Sequence, residues 1–371
     1  MGNQTSRTIE RKRESRRSRR RSTVTLGAQS HTSQGNYNWI EENTATSLSA
    51  NGINAALAAA ARQHASLQQQ QQPNQLQLDS QVVTPPQPRR KSITEFFMKR
   101  KLSFTKPTEE DYREYDRLQR QHYLLKSARK GNSWVPMENS KDKTFVDIGT
   151  GNGIWALEMA SQYSQAQVIG LDIRLPPEQT MTTLKNLRFI RIDIHDSWPL
   201  SDNTVDLVFQ RNMSQHIKRT QWKPLMEKIF RVLKPGGYLE LMELDPFCHN
   251  PGPVQKTFEE FAKTYWEELE MDFGFIETIK EQLEQVGFEI EEEKQLDIPI
   301  GEWPEESELK QFGFINKETK KAYLRNRKLE LINKWRIPAE DYDLAIQEIM
   351  EEFEEYHGFS RYTCWIVKKP L

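Results

Sequence analysis

From residue 144 onward, short apolar runs alternate with stretches whose apolar residues recur every three or four positions. The runs predict strands at 144–148, 167–173, 187–193, 205–211 and 238–244. The clearest helical stretch is 221–233. It gathers Trp222, Leu225, Met226, Ile229, Phe230 and Leu233 on one face and meets a stop signal in Lys234-Pro-Gly-Gly. An earlier helix starts at Thr108-Glu-Glu-Asp and runs to about residue 130. Strands and helices at this rhythm predict an α/β fold: a mostly parallel sheet with helices on both faces.

After residue 244 the rhythm changes. Helices are expected at 255–270 and 276–285, a long strand within 288–300, helices through much of 305–356 and a last strand at 361–368. Two late strands separated by a helical insertion predict an antiparallel edge, with the insertion lying over the carboxyl end of the sheet. Residues 92–371 thus form the folded domain, its core at about 140–300 and 361–371 and its helical cap at about 301–360.

Residues 1–91 read differently and are expected to be disordered. Tyr37 and Trp39 are their only aromatic residues. A Gln run at 68–72 and Thr-Pro-Pro-Gln-Pro at 84–88 bury too little apolar surface to offset the entropy of ordering. Residues 1–22 hold nine basic and two acidic side chains, a charge of +7, so a net charge of −1 leaves −8 for the remainder. Two cysteines, Cys248 and Cys364, are too few for a disulfide framework and fit a reducing compartment. No apolar run reaches the ~20 residues that cross a bilayer, and the start lacks the apolar core of a secretory signal. A cytoplasmic location is expected, peripheral at a membrane or, alternatively, nuclear.

The chemistry concentrates at 144–153, Thr-Phe-Val-Asp-Ile-Gly-Thr-Gly-Asn-Gly. A strand ends there in a turn carrying Gly149, Gly151 and Gly153, and helical periodicity begins at Ile154. Such a turn lets backbone N–H groups and a helix N-terminus approach a ligand closely. The dinucleotide pattern G-x-G-x-x-G fails at its sixth position, which is Ile154. Asp147, just ahead of the loop, would repel a pyrophosphate but attracts an ammonium or sulfonium. S-adenosylmethionine fits both features. The next strand ends add to it. Asp172, nineteen residues after Gly153, suits both ribose hydroxyls. Asp193 suits an adenine amino group, with the Ile194 N–H reaching a ring nitrogen. Gln210-Arg211-Asn212 ends the fourth strand beside the methionine part. No metal site is expected.

Several runs together resemble class I methyltransferases: 146–155 (Val-Asp-Ile-Gly-Thr-Gly-Asn-Gly-Ile-Trp), 168–172 (Val-Ile-Gly-Leu-Asp), 193–195 (Asp-Ile-His), 209–212 (Phe-Gln-Arg-Asn) and 233–241 (Leu-Lys-Pro-Gly-Gly-Tyr-Leu-Glu-Leu). The likeness is narrower with fungal enzymes related to regulators of secondary metabolism. Residues 115–122, Tyr-Asp-Arg-Leu-Gln-Arg-Gln-His, resemble the Gln-His helix those proteins place over the cofactor, and Asn250-Pro-Gly-Pro and Tyr362-Thr-Cys-Trp also fit. The resemblance runs from about residue 93 to the end. It implies a Rossmann-like sheet, methyl transfer to an acceptor for which a small molecule is favoured over a protein or a lipid-linked group, and cofactor roles for Asp147, Gly149, Gly151, Gly153, Asp172 and Asp193. Asn152 stands where the family often has Thr.

Candidates for a general base are His216, His122 and Glu243; each also has a plain structural reading, as a loop histidine, a packed histidine and a strand end. A regulatory protein that keeps the fold but acts through partners is the alternative to an enzyme. At the other end, Met1-Gly-Asn-Gln-Thr-Ser matches the pattern for acylation of Gly2, and the basic run supplies the second signal for an anionic membrane surface. The same run also reads as a nuclear signal. Without interleaved aromatics it is not expected to bind nucleic acid specifically.

Overall fold

The computed structural model describes residues 109–137, 141–177, 184–271 and 274–371. The expected disordered region and its basic run lie outside them. Helix α1 (Glu109–Arg129) opens with Glu109, Glu110 and Asp111 and closes with Lys126 and Arg129, charges that complement the two ends of its dipole. Then follow β1 (Thr144–Ile148), α2 (Ile154–Gln162), β2 (Gln167–Asp172), β3 (Leu187–Arg191), β4 (Val205–Arg211), α3 (Trp222–Val232) and β5 (Leu233–Leu244). After these come α4 (Pro253–Glu268), α5 (Phe275–Val286), β6 (Glu289–Pro299), α6 (Ser307–Asn326), α7 (Lys328–Trp335), α8 (Ala339–Glu355) and β7 (Phe359–Lys368).

The seven strands form one sheet in the order β3-β2-β1-β4-β5-β7-β6. The first five are parallel, and β7 lies antiparallel between β5 and β6. The order reverses between β1 and β4, so a crevice opens beyond their carboxyl ends.

Alternation along each strand divides the core in two. Val146, Ile148, Ile169, Leu171 and Val208 face Leu225, Met226 and Ile229 of α3 and Ile279 and Leu283 of α5. Phe145, Val168, Leu207 and Phe209 face Trp155 and Met159 of α2 and Leu124 and Leu125 of α1. Trp155 stacks on Phe209 with ring centroids 4.2 Å apart.

Two expectations need correction. Strand β5 begins at Leu233, not 238, and Lys234-Pro-Gly-Gly lies inside it. Leu233 pairs with Val205, and the register shifts before Tyr238 pairs with Leu207. Gly236, at φ 76°, supplies the backbone conformation that lets the strand bulge and resume. The cap also starts earlier than 301. Helix α4 joins α6, α7 and α8 around a third core of Phe258, Tyr265, Leu331, Trp335, Tyr342 and Ile349. Glu352 of α8 accepts the Val254 and Gln255 N–H groups at 2.9 and 2.8 Å, closing the α4 N-terminus. Gly252 leaves the room for this, since a Cβ there would sit 2.3 Å from the Glu352 Cδ.

Candidate cofactor cleft and acceptor cavity

The glycine loop folds as a tight strand-to-helix turn with Gly149, Gly151 and Gly153 all at positive φ. Close packing, as well as backbone shape, excludes side chains. A Cβ at Gly149 would lie 2.2 Å from the Met213 Sδ, and one at Gly153 would meet Phe189 and Pro176 at 2.8 Å. Helix α1 lies over the loop: Leu118 approaches Gly151, and the Asn152 Nδ2 donates to the Tyr115 carbonyl at 3.3 Å.

Asp147 is buried beneath this turn and accepts from the Thr150 Oγ1 at 2.5 Å. Burial pushes its carboxyl up to about 7, although Thr150 and Arg211 act in the other direction. A carboxylate desolvated to this degree gains most from a cation placed beside it. Asp172, at the end of β2, accepts the Gly151 N–H at 2.9 Å and the Arg174 N–H at 3.0 Å, and burial also raises its pKa. It therefore ties the second strand to the loop, while Arg174 reaches back to Asp111 of α1 at 2.8 Å. Asp193 lies two residues beyond β3, where its carboxylate accepts the His195 N–H at 3.0 Å. The neighbouring Ile194 is buried, and its carbonyl accepts from Trp198 and Lys228. At the end of β4, Gln210 is buried beside Glu243.

The three candidate bases fare differently. His122 is fully buried, with Nε2 3.0 Å from Glu158 and Nδ1 3.4 Å from an Arg211 nitrogen. Arg211 only donates, so Nδ1 accepts and Nε2–H donates to Glu158. Burial and then Arg211 push its pKa down to about 4, and both ring nitrogens are taken up within the protein. Arg211 itself is brought down to about 10 by burial and by Arg129. Glu243 is fully buried, raised to about 7 by desolvation, and accepts the Met213 and Ser214 N–H groups at 3.0 and 2.9 Å. It holds the loop after β4 in place. His216 alone of the three presents its surface to solvent. Desolvation on its protein-facing side, and then the Arg327 charge, push its pKa down.

Beside this cleft lies a small cavity of about 40 Å³. Ser214 and Gln215 after β4, Pro246 and Phe247 after β5, and Trp266 of α4 are among its walls. The cap reaches the same place, for the Tyr323 hydroxyl of α6 donates to the Gln215 Oε1 at 2.6 Å. Sequence reading located the cofactor loop but not this cavity, which four separated segments build. Nor did it single out Thr150, although a hydroxyl three residues after a buried acid was a legible signal.

The fold and the loop are those of a class I methyltransferase, and residues 115–293 match the family model of a methyltransferase domain. The chain is related to fungal regulators of secondary metabolism. It is 29% identical over 215 residues to the secondary metabolism regulator LAE1 of Cochliobolus heterostrophus, covering 55% of this chain and 68% of that one. It is 28% identical over 216 residues to methyltransferase pytC of Aspergillus terreus, covering 56% and 65%. It is 27% identical over 273 residues to the protein-methionine methyltransferase laeA of Emericella nidulans, covering 70% and 71%. The chain thus spans about two thirds of the length of these relatives. Phosphoethanolamine N-methyltransferase 2 of Haemonchus contortus, solved with S-adenosyl-L-methionine, has a TM-score of 0.43 at 19% identity, covering 68% of this chain and 53% of that one.

Proposed function

We propose that the chain is an S-adenosylmethionine-dependent methyltransferase whose acceptor is a small molecule entering beside the loop after β4. The observation that carries this is Asp147, a buried carboxylate at the mouth of a glycine loop, which favours an amino-acid ammonium over phosphates. When bound, the cofactor supplies a methyl group on a positively charged sulfur. Asp147 would hold the ammonium, the N–H groups around Gly151 and Gly153 the carboxylate, Asp172 the ribose, and Asp193 with the Ile194 N–H the adenine. Arg211 and Gln210 border the methionine part. Positioning of two reactants can supply much of the rate of such a displacement. A base is needed only for an acceptor that loses a proton. Calorimetric titration should show binding of S-adenosylhomocysteine and none of NAD; the reverse order of affinities would reject the reading.

A thioether acceptor is the second reading, favoured by the Met213 sulfur lying against Gly149. A thioether attacks without losing a proton and so needs no base, and one relative carries methionine methylation in its name. Incubation with labelled S-adenosylmethionine, followed by peptide mass spectrometry, separates the two readings. A cytoplasmic chain held peripherally on an anionic membrane by acylated Gly2 and the basic run completes the proposal; an unmodified Gly2 in the native protein would remove that part.

A further inference from the structure

Tyr115 stands on the face of α1 that covers the Asp172 end of the cofactor cleft. Asp111, Tyr115 and Leu118 follow one another at helical spacing and so share that face. Asp111 pairs with the Arg174 side chain at 2.8 Å, just beyond the end of β2. Leu118 lies against Gly151, where an added Cβ would come within 3.2 Å of its Cδ1. Below these two contacts, Asp172 joins the same two points: its Oδ1 accepts the Arg174 N–H and its Oδ2 the Gly151 N–H. Tyr115, midway between Asp111 and Leu118, therefore sits over Asp172. Its own carbonyl accepts from the Asn152 amide at 3.3 Å, which fixes the helix on the loop at this point.

The Tyr115 side chain is partly buried, and its hydroxyl bonds to no other described residue. Burial and then the Asp111 charge raise its pKa against the opposing pull of Arg174, and the Asp172 charge adds to the rise. The phenol thus keeps its proton and serves as a donor. An ionised Asp172 only accepts, so it takes the protons of a ribose diol and leaves the diol oxygens free to accept from elsewhere. A phenylalanine would pack α1 on the loop equally well; the hydroxyl is what packing leaves unexplained.

We propose that the Tyr115 hydroxyl donates to a ribose hydroxyl oxygen of the cofactor while that hydroxyl donates to Asp172, so that α1 and the end of β2 hold the sugar from two sides. The inference deepens the methyltransferase reading by adding a cofactor-binding residue and rests on it. The full chain is titrated calorimetrically with S-adenosylhomocysteine and with its 2′-deoxy and 3′-deoxy ribose analogues. Tyr115→Phe should weaken S-adenosylhomocysteine about fivefold, the scale of one hydrogen bond between neutral groups. Against one of the two deoxy analogues, parent and variant should bind equally, because the atom that Tyr115 contacts is gone. Unchanged S-adenosylhomocysteine affinity in Tyr115→Phe overturns the inference. So does a loss of the same size against all three ligands, which would make Tyr115 a packing residue. Failure of S-adenosylhomocysteine to bind the parent chain would instead overturn the methyltransferase reading.

Discussion

The Thr150 hydroxyl donates to the Asp147 carboxyl at 2.5 Å, closing the glycine loop on the acid that precedes it. That carboxyl ordinarily titrates near 3.8 and is pushed up to about 7 by burial. Between those values the folded chain binds a proton that the unfolded chain has released, so ionisation of Asp147 lowers stability as pH rises through the window. Asp147→Asn should therefore raise the melting temperature of the ligand-free protein at pH 8 and abolish S-adenosylhomocysteine binding. For the parent, affinity should increase between about pH 6 and 8, with proton release measurable by calorimetry in buffers of different ionisation enthalpy.

Glu352 closes the N-terminus of α4 from 98 residues away. Glu352→Ala removes the acceptor of two buried N–H groups and should cost about 2 kcal/mol in urea unfolding. Glu352→Gln should cost less, because the amide oxygen still accepts.

Arg129 and Glu240 form a buried ion pair, their side chains 1% and 0% exposed. Glu240 also accepts from the Ser133 hydroxyl at 2.5 Å and the Trp134 N–H at 3.1 Å. Arg129→Met alone leaves a buried charge and should cost about 3–5 kcal/mol. Adding Glu240→Gln removes that charge and keeps the two other bonds, so the double variant should recover most of the loss in urea unfolding.

Glu243 holds the loop after β4 through the Met213 and Ser214 amides. Glu243→Ala should speed hydrogen exchange at these two amides about 10- to 100-fold, measured by mass spectrometry. Unchanged protection would mean the loop is held by other contacts.

Strand periodicity, the glycine turn and the strand-end acids were legible in the chain because each is a local signal: alternation of burial, backbone shape, charge at a turn. The first strand was placed at its observed bounds, and Asp172 bonds to the Gly151 N–H of the loop that follows Asp147. The start of β5 was missed because Pro and two glycines read as a stop, yet a bulge lets them pair.

What the linear order could not supply was burial and partnership. His122 read as a candidate base, and only the packing of α1 on α2 and β4 showed its two nitrogens committed to Glu158 and Arg211. Glu243 read as a candidate base until the fold brought two amides of a distant loop to it. The cavity depends on segments spread from Ser214 to Ile276, which only the fold brings together. Desolvation and long-range contact are properties of the assembled chain, so sequence fixed the kind of chemistry while tertiary structure decided which side chains remain available for it.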